Sequence, residues 1–339
     1  MTQRVRYGII GFGNFAERAI APAIQASANS ELVAIQKRSL AASKAKASEY
    51  GIRHACDSVD QLVAHPDVDA VFIVSANAEH CRETLAAAKA GKHILVEKPM
   101  AMNVAEAEEM IRVCDQSKVK LMVGHMVRLS PLTVRMKEII QSGSIGRITF
   151  VRSEFIYDGR NSQRTWLLDQ NVAGGGPLFD VGVHCLDTIR FILDDDVVSV
   201  KSHLEPIPTK ATTESTAALS LRFSKGVLAS IYCSYAAPIR RSILEIVGTE
   251  GTLFARDFTR SEMTIPLTVT QGKADREVET RVEAIVVPNL YVDEVTRFSS
   301  SILNNTDSPV PGTEGLKNQY VLDAALRNGT APEVSPEAD

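Results

Sequence analysis

Three side chains of this sequence have the chemistry to move a proton and to stabilise a developing negative charge: Lys98, Asp180 and His184. A histidine titrates near neutrality, which suits His184 to act as a general acid or base. Asp180 lies four residues earlier, and on a helix this spacing places both side chains on one face. There a carboxylate can orient the imidazole or bind a hydroxyl group. Lys98 ends a predicted parallel strand, at the edge where doubly wound sheets bind ligands.

These residue types alone leave the roles open. A single helical histidine is more often structural than catalytic, and a pair such as Glu97-Lys98 is more often a surface ion pair. Two neighbouring features favour a site. Pro99 biases Lys98 towards an extended backbone, and the three glycines at 174–176 allow a ligand to approach closely. The decision depends on the elements that position these groups.

A glycine-rich loop follows the first predicted strand. Gly11, Gly13 and Ala16 fit the pattern G-x-G-x-x-G/A, with Asn14 and Phe15 between them. The first glycine permits a tight turn, the second lets the backbone approach a pyrophosphate, and the small residue keeps the helix near the strand. The helix that follows presents its N-terminus to the anion. Because the pattern lies between a strand and a helix of a βαβ unit, it predicts dinucleotide binding rather than a simple turn.

The end of the second predicted strand indicates which dinucleotide is preferred. Sites that prefer NAD usually place an acidic residue there for the ribose hydroxyl groups. This chain has Gln36, Lys37, Arg38 and Ser39 instead. Two cations and a hydroxyl group suit a 2′-phosphate, since a guanidinium binds phosphate with two hydrogen bonds. We therefore expect NADP(H) to be preferred, with NAD(H) use possible; the alternative is an exposed basic loop end without a ligand.

The first third of the chain alternates short apolar runs with helical patterns. The predicted strands are Val5–Ile10, Glu31–Gln36, Ala70–Val74, His93–Val96 and Lys120–Gly124, and the predicted helices are Ala16–Ala28, Leu40–Tyr50, Glu79–Ala90 and Ala105–Ser117. Strands that alternate with helices of about ten residues pair in parallel through right-handed crossovers. The pattern predicts an α/β domain with a doubly wound parallel sheet over residues 1–124.

Beyond about residue 145 the pattern changes to β-branched and aromatic residues in rough alternation. The predicted strands are Arg147–Asp158, Val197–Leu204, Ala217–Phe223, Val227–Tyr235, Ser242–Val247 and Met263–Thr270. Turn residues separate them, as between strands of an antiparallel sheet. Helices are predicted over 178–193 and over 291–303. We expect an α+β domain with a mostly antiparallel sheet over 125–330 and a frayed tail over 331–339.

Composition excludes several classes of protein. The 339 residues include 37 Lys and Arg against 41 Asp and Glu, a net charge of -4, so nucleic acid is not an expected partner. No apolar run approaches the roughly 20 residues of a membrane span, and no signal-peptide pattern is present. Five scattered cysteines argue against disulfides or a zinc site and favour a reducing cytoplasm. We expect no metal ion, and His54, His65 and His203 are interpreted as surface or loop residues.

Further segments make a larger pattern with the glycine loop. They are Val-Phe-Ile-Val-Ser-Ala-Asn-Ala-Glu-His at 71–80, Ala-Gly-Lys-His-Ile-Leu-Val-Glu-Lys-Pro at 90–99, and Gly-Gly-Gly-Pro-Leu-Phe-Asp-Val-Gly-Val-His at 174–184. In this order they resemble the glucose–fructose oxidoreductase / inositol dehydrogenase / MocA (Gfo/Idh/MocA) family over essentially the whole chain. The combination is specific to that family, although no single segment would be.

The resemblance implies a Rossmann domain followed by a domain whose open sheet commonly mediates homodimers or homotetramers. It implies a site where a nicotinamide meets a sugar, a cyclitol or a related polyol. Lys98, Asp180 and His184 fall on the family's catalytic positions. The residues near its cofactor contacts are Ser75, Ala76, Asn77, His80, Glu97 and Lys98. Tyr157, Arg160, Arg164 and Trp166 precede the glycine run and could line the substrate pocket. Candidates for contact with the substrate are Tyr157, Arg160 and Trp166, together with Lys98, Asp180 and His184.

The sequence thus predicts a cytoplasmic, NADP(H)-preferring oxidoreductase that transfers a hydride between nicotinamide and a CH–OH or C=O group of a sugar, an anhydrosugar or a cyclitol. His184 is the expected proton-transfer group, Asp180 its partner, and Lys98 the residue that stabilises charge. One alternative is an NAD-dependent glycosidase of the same family, which regenerates its nicotinamide in each cycle. Another is a regulator that senses NADPH without catalysing a reaction.

Overall fold

The computed structural model describes residues 3–159, 164–272 and 278–327, which form two compact units. The first unit contains the chain up to Met126 together with Tyr291–Gln319. The second contains Val127–Leu290 and the described residues from Tyr320 onwards. The sequence predicted one boundary, at residue 124, with residues 125–330 in the second domain. In the structure, Tyr291–Gln319 belongs to the first unit. The predicted tail over 331–339 lies outside the described residues.

The sheet of the first unit has six parallel strands in the order β3-β2-β1-β4-β5-β6. They are β1 Val5–Ile10, β2 Ser30–Gln36, β3 His54–Cys56, β4 Ala70–Ile73, β5 His93–Glu97 and β6 Leu121–Gly124. The order reverses direction between β1 and β4, the switch point beside which doubly wound sheets bind ligands. The predicted doubly wound parallel sheet is confirmed. The three-residue β3 was not predicted, because a strand this short shows no periodicity.

Five α-helices connect these strands. They are α1 Ala21–Ala26, α2 Leu40–Tyr50, α3 Val59–Val63, α4 Asn77–Lys89 and α5 Val104–Gln116. Local sequence explains their ends: Ser39 caps α2 by accepting a hydrogen bond from Ala42 N, and Gly51 ends it in the left-handed conformation. The helix predicted to start at Ala16 begins instead as a π-helical turn, Ala16–Ile20, before α1. The short helix α3 was not predicted.

The second unit contains an eight-stranded sheet in the order β14-β13-β12-β11-β7-β10-β9-β8. Its strands are β7 Ile148–Asp158, β8 Val197–Glu205, β9 Thr216–Phe223, β10 Leu228–Ser234, β11 Ala236–Gly248, β12 Gly251–Arg256, β13 Met263–Gln271 and β14 Glu279–Val287. Every pair is antiparallel except β7 with β10. The mostly antiparallel, open sheet is confirmed, while β12 and β14 were not predicted.

Helices α6 Pro131–Gln141, α7 Gln170–Ala173 and α8 Val183–Leu193 belong to the second unit. The helix predicted to begin at Leu178 starts as a π-helical turn, Leu178–Gly182, and becomes α-helical only at Val183. Buried Arg128 pairs with Asp187 of α8 at 2.8 Å, which ties α8 to the segment before α6. In the part of the chain that the structure describes, no helix is long and apolar enough to cross a membrane.

Two further helices end the described chain, α9 Leu290–Leu303 and α10 Gly312–Leu326. Helix α9 packs on the first sheet through hydroxyl groups: Ser299 Oγ lies 2.8 Å from the buried Tyr7 hydroxyl, and Thr296 Oγ1 lies 2.9 Å from Ser27 Oγ. The predicted helix over 291–303 is therefore present, one residue longer at its start. Helix α10 was not predicted.

Candidate active site

The turn after β1 places Gly11 against the turn after β4. Gly11 has φ +80°, and a Cβ there would lie 2.7 Å from the backbone nitrogen of Ser75, so only glycine fits. Its N–H donates to the side-chain oxygen of Gln36 at 3.1 Å. Gly13 differs, since a Cβ there would meet no other described atom closer than 3.9 Å. Packing within the chain does not require this glycine, which fits a residue whose backbone a dinucleotide approaches.

The rest of the predicted phosphate loop is exposed at the start of the π-helical turn. Asn14 is exposed, and Phe15 is half-buried with its ring edge-on against Tyr291 of α9, the ring centroids 5.6 Å apart. Because β1 leads directly into this turn, backbone N–H groups stand at the carboxyl end of the central strand. This is the arrangement that binds the pyrophosphate of a dinucleotide, and the residues present fit that group.

The two cations after β2 have different surroundings. The Lys37 ammonium donates to the carbonyl oxygen of Phe12 at 2.5 Å and lies 3.8 Å from a carboxylate oxygen of Glu17. Lys37 is therefore engaged by the glycine loop itself. Arg38 is exposed. Of the two predicted contacts to a 2′-phosphate, Arg38 is the one whose position leaves it accessible to solvent.

His80 links the turns that follow β4 and β5. Its ring is fully buried, with Nδ1 3.0 Å from the carbonyl oxygen of Pro99 and Nε2 3.3 Å from that of Ser75. Burial lowers the pKa of His80 to about 4, so the ring is neutral at physiological pH. With one N–H, the ring donates a hydrogen bond to one of these carbonyl oxygens and lies in contact with the other. His80 thus helps to position Ser75 and the segment after Lys98.

The Ser75 hydroxyl donates to a carboxylate oxygen of Glu83 on α4 at 2.5 Å. Glu83 is only 4% exposed, and this burial raises its pKa to about 7, although the hydrogen bond from Ser75 opposes the shift. Ala76 precedes α4, and Asn77, 5% exposed, is its first residue. Glu83 is a site residue that the sequence analysis missed. The only signal was an acidic residue on the buried face of a predicted helix.

Lys98 follows directly on β5, at the same edge of the sheet as the glycine loop. Its backbone N–H donates to the carboxylate of Glu97 at 3.2 Å. Glu97 is 8% exposed, and Glu294 of α9 is fully buried. Burial raises the pKa of Glu294 well above its ordinary value, and the negative charge of Glu97 adds to that shift. Glu294, which was not predicted, therefore lies near the ionisable group that precedes Lys98.

In the second unit a buried carboxylate holds the glycine run. Glu214 accepts hydrogen bonds from the backbone N–H groups of Gly176 and Leu178, both at 3.0 Å. Burial raises the pKa of Glu214, and the two N–H groups oppose the shift. A Cβ on Gly176 would lie 2.0 Å from the carbonyl oxygen of Glu214, which explains the glycine. Glu214 therefore positions the π-helical turn that carries Asp180.

Asp180 belongs to a polar cluster on that turn. The Tyr157 hydroxyl donates to its carboxylate at 2.7 Å, and the Arg164 guanidinium lies 3.3 Å from the same oxygen. Arg164 also donates to the Tyr157 hydroxyl at 2.9 Å. Burial and the Asp180 charge raise the pKa of Tyr157, so its hydroxyl keeps its proton. The structure brings together Tyr157, Arg164 and Asp180, all three of which the sequence indicated as pocket candidates.

His184 lies on α8, two residues after the π-helical turn ends. It is 7% exposed, and its ring lies beside Phe155 of β7, with centroids 6.1 Å apart. Asp180 lies in the π-helical turn, and His184 lies in the α-helix that continues directly from it. Trp166 is half-buried in a 3-10 turn, Thr165–Leu168. Arg160 lies outside the described residues.

Comparisons with known proteins agree with this architecture. Residues 5–125 match the model of an oxidoreductase family with an NAD-binding Rossmann fold, and residues 133–254 match the GFO/IDH/MocA C-terminal domain. A 1,5-anhydro-D-fructose reductase of Ensifer adhaerens is 32% identical over 97% of this chain and 98% of its own length. The chain therefore belongs to the Gfo/Idh/MocA family of oxidoreductases. Both the family and the enzyme class predicted from the motifs are confirmed.

Two other similar proteins extend the comparison. A D-xylose 1-dehydrogenase (NADP(+)) of Haloarcula marismortui is 32% identical over 73% of this chain and 71% of its own. The crystal structure of an aldose–aldose oxidoreductase from Caulobacter crescentus, complexed with glycerol, has a TM-score of 0.86 and 26% identity. That likeness covers 96% of this chain and 97% of the other. The order of elements in both units is thus shared along nearly the whole chain.

Replacing Glu83 by Gln should flatten the pH dependence of stability. The pKa of Glu83 rises from 4.5 to about 7 on folding, so the folded protein binds more protons in that interval and its free energy of unfolding falls as pH rises. Between pH 5 and 8 we expect the free energy of unfolding of Glu83→Gln, measured by urea titration, to fall by about 2–3 kcal/mol less than that of the parent protein. Glu205→Gln, at an exposed position of β8, is the control. Equal pH dependence of Glu83→Gln and the parent would contradict the assignment.

Proposed function

We propose that the protein is an NADP(H)-preferring oxidoreductase that interconverts a CH–OH group and a C=O group of a sugar, an anhydrosugar or a cyclitol. The observation that carries the proposal is the cluster in which half-buried Tyr157 and exposed Arg164 bind the buried carboxylate of Asp180, close in sequence to His184, in a chain that also has a dinucleotide loop. The names of the two relatives support a carbohydrate substrate, since one is an anhydrofructose reductase and the other a xylose dehydrogenase.

The cofactor would be held at the carboxyl edge of the first sheet. Gly11, Gly13 and the start of the π-helical turn would bind its pyrophosphate, and Arg38 would bind a 2′-phosphate. When bound, the nicotinamide supplies the two-electron redox chemistry of the reaction. Gln36 supports the preference for NADP(H), because a neutral carboxamide occupies the strand end where NAD-preferring sites place an acid.

The chain's own residues handle the proton and the charge. In the direction of oxidation, an imidazole nitrogen of His184 takes the proton of the substrate hydroxyl group; in reduction it returns that proton to the carbonyl oxygen. The Lys98 ammonium stabilises the negative charge that develops on the same oxygen.

Asp180 has a role set by its partners. Because Tyr157 and Arg164 already bind its carboxylate, Asp180 is held in one orientation. We propose that Asp180 binds a substrate hydroxyl group and supports His184, and that it does not itself transfer the proton. Tyr157, Arg160 and Trp166 complete the proposed substrate contacts, of which Tyr157 and Trp166 belong to the described residues.

The outward face of the second sheet supports assembly into a homodimer or homotetramer. Val282 and Val286 of β14 are 63% and 70% exposed and pair across the ladder with Thr268 and Thr264. Further along the same sheet, Phe150 pairs with Leu228 and both are exposed. Apolar side chains that face outward along a sheet are typical of protein–protein contacts. We propose that two or more copies pack through this face.

The proposed location is the cytoplasm. All five cysteines are described by the structure, and all are free thiols. Burial raises the pKa of Cys114 to about 12 and that of Cys81 to about 11, so neither is reactive at neutral pH. Free thiols as small apolar side chains suit a reducing compartment.

Removing either proposed catalytic group should stop turnover but not cofactor binding. We expect Lys98→Ala and His184→Ala each to lower kcat by about 100-fold or more, with NADPH affinity within a few-fold of the parent. The assay follows reduced-nicotinamide absorbance across a panel of sugars, anhydrosugars and inositols. Lys89→Ala and His203→Ala, two exposed positions, are the controls. Parental turnover in both variants would refute the mechanism, and product formation without net change in nicotinamide would favour the glycosidase alternative.

Arg38→Ala should weaken binding of NADPH selectively. Loss of a charge-assisted hydrogen bond to the 2′-phosphate corresponds to about a 10- to 100-fold rise in the Kd for NADPH, with little change in that for NADH. Fluorescence titration of the reduced cofactors measures both constants. Lys44→Ala on α2 removes an exposed cation as a control. If Arg38→Ala affects both cofactors equally, Arg38 does not bind the 2′-phosphate.

Charges on the outward sheet face should break the assembly. We expect the parent protein to sediment as a dimer or tetramer and the double variant Val282→Lys, Val286→Lys to sediment as a monomer, because two ammonium groups would be buried without partners. Val134→Lys, at an exposed valine of α6, is the control and should sediment like the parent. A monomeric parent protein, or an unchanged double variant, would show that this face is not the interface.

A further inference from the structure

A cluster of metal-binding side chains lies in the first unit, apart from the groups of the proposed reaction. His54 is the first residue of β3, and His65 and Asp67 lie between α3 and β4. One donor atom from each of the three lies within 4.8 Å of the other two. His54 begins β3, and Asp67 lies shortly before the first residue of β4, so the cluster is at the amino ends of these two strands. The dinucleotide loop follows the carboxyl end of β1, on the opposite edge of the sheet.

The contacts within the cluster bring the donors almost to the separations that a metal ion needs. Nε2 of His54 lies 2.9 Å from a carboxylate oxygen of Asp67, and the His54 and His65 ring centroids are 3.7 Å apart. Ligands of a tetrahedral ion at about 2.0–2.2 Å are roughly 3.3–3.6 Å from one another. Small side-chain rotations would reach that geometry, and an ion would replace the proton now shared between His54 and Asp67.

Neighbouring groups hold two of the ligands in place. Arg6 lies 3.2 Å from the other carboxylate oxygen of Asp67, which orients that group. The backbone N–H of Asp67 donates to Nδ1 of His65 at 3.2 Å, a weak hydrogen bond that coordination by His65 would replace.

We propose that His54, His65 and Asp67 form a binding site for Zn²⁺, with two imidazole nitrogens and one carboxylate oxygen as ligands and water in the fourth position. Two imidazoles and a carboxylate are a ligand set that Zn²⁺ accepts. All three side chains are partly exposed, which gives the ion and its water a path from solvent. The site stabilises the first unit, because it joins the short edge strand β3 to the segment that leads into β4.

Zinc binding to the chelator-treated full-length protein tests the proposal. We expect one Zn²⁺ per chain with a Kd of about 10 µM or tighter in competition with a fluorescent chelator, together with a rise in Tm on addition of Zn²⁺. His54→Ala and His65→Ala should each weaken binding by at least about tenfold and abolish the rise in Tm. Asp67→Asn keeps the size of the side chain and should weaken binding similarly. His203→Ala, on β8, should bind like the parent.

A Co²⁺ spectrum separates this site from the cysteines. Coordination by nitrogen and oxygen gives no thiolate charge-transfer band, whereas binding at Cys56 or Cys81 would give one. Affinity in the millimolar range, a thiolate band, or parental affinity in all three ligand variants would each overturn the proposal. The cluster would then be a hydrogen-bonded His–Asp pair and no more. Circular dichroism of the metal-free variants confirms that they are folded before binding is compared.

Discussion

The close approach of Gly11 to Ser75 is the contact on which the first unit's candidate site depends. It joins the turns after β1 and β4, the two strands at which the order of the sheet reverses. From Ser75 the contacts continue to His80 and on to the backbone of Pro99. One connected set of hydrogen bonds and packing contacts therefore relates the glycine loop to the segment that carries Lys98. A side chain at position 11 would separate these turns. Packing within the chain therefore requires glycine at position 11 but not at position 13.

Buried carboxyl groups recur behind the functional segments. Glu83 holds the Ser75 hydroxyl, Glu214 holds the backbone of the glycine run, and Glu294 lies near Glu97. In each case burial raises the pKa, so each is harder to ionise than an exposed glutamate. Burying such groups is unfavourable unless hydrogen bonds compensate. Glu83 and Glu214 have such bonds, and both bonds end on segments that the proposed reaction uses.

In the second unit the arrangement of charge limits the roles of its residues. Asp180 is bound by Tyr157 and by Arg164, and it therefore stays an acceptor for hydrogen bonds. In the proposed mechanism His184, on the following α-helix, is the group that transfers the proton. Membership of the Gfo/Idh/MocA family agrees with this division of labour but does not define the substrate. The hydroxyl pattern of the substrate depends on side chains such as these, whose positions come from different strands and turns.

The sequence by itself determined the two fold classes, most of the longer strands and helices, the glycine loop and the family. These follow from hydrophobic periodicity and from spacings along one stretch of chain. Only the tertiary structure decided that Lys37 binds the carbonyl of Phe12 while Arg38 is exposed, and that Arg164 joins Asp180. It also revealed Glu294 and the cluster of His54, His65 and Asp67, whose short neighbouring elements β3 and α3 carry no periodic signal. The physical reason is that periodicity records burial of each residue relative to its chain neighbours. Charge pairing and ligand clusters depend instead on groups that meet only when distant segments pack.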